Sequence, residues 1–243
     1  MKRQKIRRAL VIISFLLFPI TIYYLSPYLI IMGALEGIIT GSFIVFACMF
    51  LFALFFSRAY CGWVCPVGGL QDCLMLANDK KAKGGWRNLI KYGIWVPWIV
   101  LITFSALHAG GYSKVDFLYM TFHGISISEP AAYIIYYAVI ILITIPSLIA
   151  GKRSFCHYFC WMAPFMVLGR KLGSLLRLPS LHLKADSGKC THCKQCSKNC
   201  PMSLDVEKMV SEGCMENAEC ILCGECTGIC PKKVLHYTFG PRK

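Results

Sequence analysis

Apolar and polar positions fall in long blocks along this chain rather than alternating. Residues 9–56 contain no Lys or Arg and one acid, Glu36. As a single helix those 48 residues would extend about 72 Å, more than twice the roughly 30 Å of bilayer hydrocarbon, so the stretch must fold back. Ser26, Pro27 and the segment from Gly33 to Gly41 hold the turn-forming residues that favour a reversal. The pattern predicts membrane helices over residues 9–25 and 41–57. Two further apolar runs predict spans over 92–108 and 131–150, with Pro97 and Pro146 as kinks that lipid tolerates. Residues 165–178 differ, because Met166, Val167, Leu168, Leu172, Leu175, Leu176 and Leu178 are interleaved with Arg170, Lys171 and Arg177. That mixture suits a helix lying on the membrane face or an ordinary linker helix packed on the tail.

Charge gives the spans a direction. Lys2, Arg3, Lys5, Arg7 and Arg8 precede the first span; Arg58, Lys80, Lys81, Lys83, Arg87 and Lys91 lie between the second and third; Lys152, Arg153, Arg170, Lys171 and Arg177 follow the fourth. The opposite side offers Lys114 alone. The positive-inside rule then places both termini and the middle loop in the cytoplasm. The N-terminal run lacks an A-x-A site and continues into a second span, which favours a retained anchor over a cleaved signal peptide.

Composition agrees with this organisation. The 243 residues are 56% apolar and 16% charged, against about 25% charged in soluble domains. Disorder, which needs low hydrophobicity, is excluded. Basic residues outnumber acidic ones 26 to 12, but they cluster between apolar runs and form no stripe on a soluble face, so the expected partner is the lipid bilayer and no nucleic acid.

The 15 cysteines bring in chemistry. Cys190, Cys193, Cys196 and Cys200, then Cys220, Cys223, Cys226 and Cys230, spell C-x2-C-x2-C-x3-C-P twice. Four thiolates at this spacing wrap a 4Fe-4S cluster, with the fourth cysteine of each run serving the other cluster. The expected ligand sets are Cys190, Cys193, Cys196 and Cys230 for one cluster, and Cys220, Cys223, Cys226 and Cys200 for the other. Zinc ribbons use pairs of C-x2-C rather than runs of four, and disulfides do not suit a reducing compartment. So short a tail cannot bury enough apolar surface to fold unaided, so cluster binding should supply its folding energy.

A second constellation follows spans two and four. Arg58, Tyr60, Cys61, Trp63, Val64 and Cys65 align position by position with Arg153, Phe155, Cys156, Tyr158, Phe159 and Cys160, 95 residues later. This implies duplication of a two-span unit, and two-span copies point the same way, as parallel repeats do. If each C-x3-C lies on a helix, its two thiols share a face. Cys61, Cys65, Cys156 and Cys160 then have three chemical readings: shared ligation of a third iron–sulfur cluster, a redox-active thiol site, or copper or another soft metal. Plain buried thiols are the fourth possibility.

With these motifs the chain resembles the NapH-type membrane ferredoxins, together with the membrane part of NosR-type proteins and the maturation protein CcoG. The resemblance implies an all-α membrane protein with four transmembrane helices in two parallel repeats, followed by a C-terminal α+β two-cluster bacterial ferredoxin-like domain. The corresponding units are residues 1–160, an interfacial helix and linker over 161–185, and the ferredoxin-like unit over 186–243. It further implies a multi-pass protein of a prokaryotic cytoplasmic membrane that transfers electrons between cytoplasmic clusters and a membrane site, acting on quinone as a quinol dehydrogenase subunit or on a redox partner protein. The alternative function is maturation or sensing, in which the chain reduces a metal or disulfide in a client. Homodimerisation is a further expectation to test. One departure from the family pattern is that Cys160 is followed by Trp161, with the proline displaced to Pro164.

Among the remaining groups, Cys48, Cys73 and Cys214 are expected as buried thiols. Glu36 is either an intramembrane functional acid or a solvated loop acid. His108 and His123 are expected on the outer side, and His157, set between two motif cysteines, is a candidate hydrogen-bond donor to a cluster or a metal ligand.

Overall fold

The N-terminal basic segment is helical from its start, because Lys, Arg and Gln are good helix formers. In the computed structural model, which describes residues 2–241, α1 (Lys2–Leu16) therefore begins before the first predicted span. The first residue of the 1–160 unit and the last two of the 186–243 unit lie outside the described residues. After a break, α2 (Phe18–Thr21) carries Pro19 in its first turn. Ser26 and Pro27, read as part of a reversal, instead start a helix, α3 (Pro27–Leu35): the Ser26 hydroxyl accepts from the Leu29 N–H at 3.5 Å. An N-cap serine followed by proline at the first helical position is a helix-start signal as much as a turn signal. The chain turns at Gly37, whose φ of 67° is the left-handed conformation that ends helices. Then β1 (Ile38–Thr40) leads into α4 (Gly41–Phe56), capped by Thr40.

Two short helices, α5 (Ala59–Trp63) and α6 (Pro66–Leu74), follow; a loop and the 3₁₀ turn Gly85–Leu89 then lead to α7 (Ile90–His108). Strand β2 (Lys114–Asp116) pairs in parallel with β1, forming a small sheet that no sequence signal announced. Helix α8 (Ala132–Ala150) matches the fourth predicted run. Among the described residues, the segment Gly85–His108 and α8 are the two helices long and apolar enough to cross a membrane, and only 17% and 11% of their most apolar windows are buried. A soluble core helix would be mostly buried, whereas these expose apolar sides as lipid-facing helices do. Helix α4 has 16 residues, about 24 Å at 1.5 Å per residue.

The second C-x3-C motif runs from Cys156 in α9 (Ser154–Tyr158) to Cys160 in the turn before α10 (Ala163–Leu175). Helix α10 occupies the segment read as lying on the membrane face, but it packs along α4. A Cβ at Gly169 would sit 2.6 Å from the Phe50 carbonyl oxygen, and one at Gly173 2.5 Å from that of Leu54. Small residues four apart allow this close backbone approach. The packing is reciprocal, with α6 against α1 and α8, and α10 against α7 and α4.

In the tail, β3 (Ser180–Ala185) pairs antiparallel with β4 (Leu235–Gly240), Ser180 opposite Gly240 and Ala185 opposite Leu235. Residues 180–185, assigned from sequence to the linker, are thus the first strand of the tail's sheet. Between the strands lie α11 (Gln195–Lys198), α12 (Val206–Ser211) and α13 (Glu225–Ile229). The two cysteine runs share backbone geometry at a spacing of 30 residues. His192 and Leu222 have φ of 53° and 49°, Lys194 and Gly224 57° and 69°, Ser203 and Lys233 53° and 50°. These left-handed residues bend each run around a cavity. Leu183, Met202, Val206, Val210, Ile221, Val234 and Leu235 fill the core behind them.

Candidate metal centres

Each predicted tail set lines one cavity. Cys190, Cys193, Cys196 and Cys230 surround one, and Cys200, Cys220, Cys223 and Cys226 the other. The fourth cysteine of each run has crossed to the other run's cavity. Among the described residues no three His, Cys, Asp or Glu side chains close on a single-ion position; the thiols ring cavities instead. Four soft thiol donors around a volume with apolar walls fit an iron–sulfur cluster. The two centres differ in access: Cys193 is exposed and Cys190, Cys196 and Cys230 half-buried, whereas Cys200, Cys223 and Cys226 are buried. Burial pushes the thiols of Cys200 and Cys223 up to about 12 and about 11, so ligation there must displace protons.

The membrane motifs converge although they lie 95 residues apart. All four thiols are buried, Cys61 at 9%, Cys65 at 5%, Cys156 at 7% and Cys160 at 5% exposure. Cys65 lies within electrostatic range of Cys61, Cys156 and Cys160, and Cys156 within range of Cys160 and Cys61. Neither C-x3-C pair shares one helix, contrary to the helical-face expectation. In each motif one carbonyl ends the helix by accepting two N–H groups: Tyr60 from Val64 and Cys65 (both 3.0 Å), and Phe155 from Phe159 (2.9 Å) and Cys160 (3.0 Å). Each second cysteine then precedes a new helix and its sulfur accepts backbone N–H groups, Cys65 from Gly68 and Cys160 from Met162 and Ala163. The displaced proline has a physical consequence. Pro66 opens α6 directly after Cys65, while α10 begins at Ala163 with Pro164 next, and Trp161 in the gap donates to the Leu25 carbonyl at 3.2 Å.

The arginines that open the two motifs are almost fully buried, at 1% exposure each. Arg153 donates to both Asp72 and the Cys61 carbonyl (Nη1, 3.1 Å), and Asp72 also takes Arg7 at 2.8 Å. Arg58 pairs with Glu219 at 2.9 Å, and Lys91 joins the same carboxylate. Burial opposes ionisation of Asp72 and Glu219, but these cations hold both carboxyls below the usual range. The same burial, opposed by Arg153 and reinforced by the neighbouring thiols, pushes Cys156 up to about 12. Asp72 and Glu219 carry no sequence signal for these roles; the arginines were visible only as aligned positions.

The tail meets the membrane part through both runs: Lys152 Nζ donates to the Lys198 carbonyl at 3.1 Å and the Ala82 N–H to the Ser203 hydroxyl at 3.0 Å, while the second run meets the first C-x3-C motif itself. The Trp63 indole N–H donates to the Leu222 carbonyl at 3.0 Å, Gln4 to the Cys223 carbonyl at 3.0 Å, and Arg58 to the Ala218 carbonyl at 2.9 Å. Gly62 lies so close to the Ile221 carbonyl and the Cys223 backbone that a side chain there would clash. An open cavity of about 470 Å³ lies beside this junction, lined by the apolar Val11, Ile12, Met75 and Leu76, by Arg7, Arg8 and Lys152, and by Asp72, Asp79 and Glu225.

The other candidate residues stand apart from these centres. Cys48, Cys73 and Cys214 are exposed, not buried as expected: Cys48 faces outward on α4 and Cys73 lines the large cavity. Glu36 is an exposed acid at the end of α3 that accepts from Tyr119. His108 stacks on Phe104 and His123 packs edge-on to Phe122. His157 is buried at 2% exposure with Nδ1 3.1 Å from Asn88 Oδ1, and burial lowers its pKa to about 4.

Comparison with known proteins agrees with this arrangement. A family model described as a 4Fe-4S binding domain matches residues 38–83 and again 132–179, and one described as a 4Fe-4S dicluster domain matches residues 189–235. With two ferredoxin-type runs around paired cavities, the chain carries 4Fe-4S ferredoxin-type domains. It is a divergent homologue of the NapH-type ferredoxins and of the protein named as an electron transport protein, YccM. Ferredoxin-type protein NapH of Haemophilus influenzae is 24% identical over 77% of this chain and 64% of its own length. YccM of Escherichia coli is 20% identical over 84% of this chain and 57% of its own length, so the chain spans little more than half of that relative. An uncharacterised protein of Methanocaldococcus jannaschii is 26% identical over 87% of this chain and 78% of its own. No solved structure matches.

Proposed function

We propose that the chain is a four-span protein of the cytoplasmic membrane, built as two parallel repeats with both termini in the cytoplasm, that passes electrons between a cytoplasmic carrier and a membrane site. Cys190, Cys193, Cys196 and Cys230 would hold one 4Fe-4S cluster, Cys220, Cys223, Cys226 and Cys200 a second, and Cys61, Cys65, Cys156 and Cys160 a third. Bound clusters supply one-electron redox chemistry, with cysteine filling every protein-ligand position. The observation that carries the reading is the junction itself: Trp63, beside Cys61, is hydrogen-bonded to Leu222, beside Cys223. The protein's own residues do the rest. Arg58 and Arg153 set fixed positive charge beside thiols that become negative on ligation, and the surrounding apolar side chains exclude water.

Burial favours ligation over dithiol chemistry at the membrane cysteines. A reactive thiol is accessible and has a lowered pKa, whereas these four are covered, and burial raises Cys65, Cys156 and Cys160. The membrane-side partner is a quinone or a redox subunit. The large cavity, lined by apolar Val11, Ile12, Met75 and Leu76 and by the ion pairs Arg7–Asp72, Arg8–Glu225 and Lys152–Asp79, suits an amphipathic ring compound, and its Asp72 holds the Arg153 that touches Cys61. Anaerobic purification with iron and sulfide counting and EPR tests the assignment. About twelve irons support three clusters, about eight remove the third, and zinc or copper in place of iron would overturn the reading. In a Cys61→Ser, Cys156→Ser protein, tail clusters should remain while their reduction by quinol is lost. If quinol reduction persists and a client enzyme fails to assemble, the maturation role replaces the respiratory one.

A further inference from the structure

The two cysteine runs of the tail are copies of one loop, yet they carry opposite charge. At positions 30 residues apart, Lys189 corresponds to Glu219, Lys194 to Gly224, Gln195 to Glu225 and Lys198 to Gly228. The acids of the second copy all meet cations of the membrane part: Glu219 meets Arg58 and Lys91, Glu225 meets Arg8 at 3.1 Å, and Glu216 meets Arg170 at 3.8 Å. The lysines of the first copy meet no such counterpart. Lys189, Lys194 and Lys198 of the first copy, and Lys232 and Lys233, which follow the crossed-over Cys230 at the end of the second, are all exposed. Lys189 pairs with its exposed neighbour Asp186 at 3.1 Å, and among the described residues the other four have no acidic side chain at ion-pair distance. The second acid on this face, Glu207, is engaged by His192 at 2.6 Å. Lys194 and Lys232 line the same cavity as exposed Cys193 and half-buried Cys190, Cys196 and Cys230, and the neighbouring Pro231 and Ile229 are exposed, Ile229 at 41%.

We propose that this lysine-ringed face over Cys190, Cys193, Cys196 and Cys230 is the docking surface for a soluble, acidic one-electron carrier protein; the proposal rests on the iron–sulfur reading of those four thiols. The equivalent face of the second copy is closed by α5 and the N-terminus of α1, so a carrier in solution reaches only the first. Exposed cations around a redox centre raise the encounter rate with an anionic partner and orient it, while Ile229 and Pro231 supply a small apolar contact at the centre. One electron crosses with no bond made or broken and no proton moved: the carrier changes by one electron and the chain by one in the opposite sense. Anionic lipid is the competing occupant of a basic face. It is disfavoured because the Trp63, Gln4 and Arg58 bonds go to the second copy, and the bonds to the first copy, from Lys152 to the Lys198 carbonyl and from Ala82 to the Ser203 hydroxyl, flank Cys200, which lines the other cavity.

The test uses the full holoprotein in detergent, a purified acidic two-cluster ferredoxin as probe, and basic cytochrome c as the opposite-charge control. Binding is measured by surface plasmon resonance without reductant, and electron exchange by stopped-flow absorbance. The wild type should bind and react with the acidic probe about tenfold or more better at low than at high salt. Combined Lys189→Glu, Lys194→Glu, Lys232→Glu and Lys233→Glu should lower both at low salt by a similar factor. Iron content, EPR spectra and reduction through small neutral mediators should stay as in the wild type. Undiminished binding of the acidic probe by this variant, or tighter binding of cytochrome c by the wild type, would falsify the docking surface. So would loss of binding to phosphatidylglycerol vesicles with the probe's rate unchanged, which assigns the lysines to lipid. Absence of iron and sulfide from the wild-type tail removes the cluster reading and the docking surface together; intact clusters with an unaffected variant remove the docking surface alone.

Discussion

Arg58 and Arg153 occupy one position in two copies of a motif, and each is buried against a different carboxylate. Removing one partner of a buried pair leaves an uncompensated charge, at a cost of about 3–5 kcal/mol. Arg153→Met should therefore destabilise by that amount in thermal unfolding in detergent, since Asp72 loses its two-pronged donor. Arg153→Lys should recover only part, because an ammonium keeps the charge but loses the fork. Glu219 gives a pH dependence. Burial opposes its ionisation, but Arg58 and then Lys91 outweigh burial, so its folded pKa lies below the usual value. A depressed carboxylate contributes stability that is present above its unfolded pKa of about 4.3 and is lost as pH falls through the folded value. The stability gap between wild type and Glu219→Gln should be widest near neutral pH and close below about pH 4. A gap that stays constant across that range would show that Glu219 acts through packing alone. At this scale the cysteines were legible because ligand spacing is local, whereas Asp72 and Glu219 were not, since their partners are distant in sequence.

Element boundaries show where pattern reading fails. Ser26 and Pro27 serve a helix start as well as a turn, and which one wins depends on α3 finding α7, where the Trp98 indole N–H donates to the Pro27 carbonyl at 3.1 Å. The segment after span four reads as amphipathic, but Gly169 and Gly173 seat α10 on α4. A large side chain at that seam must force the helices apart, so Gly169→Leu should cost about 1–3 kcal/mol in detergent melts, and an unchanged midpoint would deny the close packing. At the other junction, Gly62→Val should displace the second cysteine run from α5. The tail should keep its iron and EPR signals while electron exchange between tail and membrane site slows; exchange at the wild-type rate would mean that contact is not the route.

At the scale of the whole molecule, two helices among the described residues are long and apolar enough to cross a bilayer, and the proposed four-span topology adds α1 with α2, and α4. An epitope inserted after exposed Ser128 should be reachable from outside in intact spheroplasts, and one after Leu76, which is 93% exposed, only after permeabilisation. The reverse pattern would invert the topology. The sequence by itself determined the apolar runs, the charge asymmetry and the membership of the two tail cysteine sets, because each is written in residue type at short spacing. Only the tertiary structure decided that Cys61, Cys65, Cys156 and Cys160 share one buried place, that the acidic copy of the tail faces the membrane part, and that the lysines of the basic copy are left to solution. Those outcomes depend on contacts between residues far apart in sequence, from the 46 positions between Arg170 and Glu216 to the 221 between Arg3 and Gly224, formed by packing and ion pairing that no local periodicity encodes.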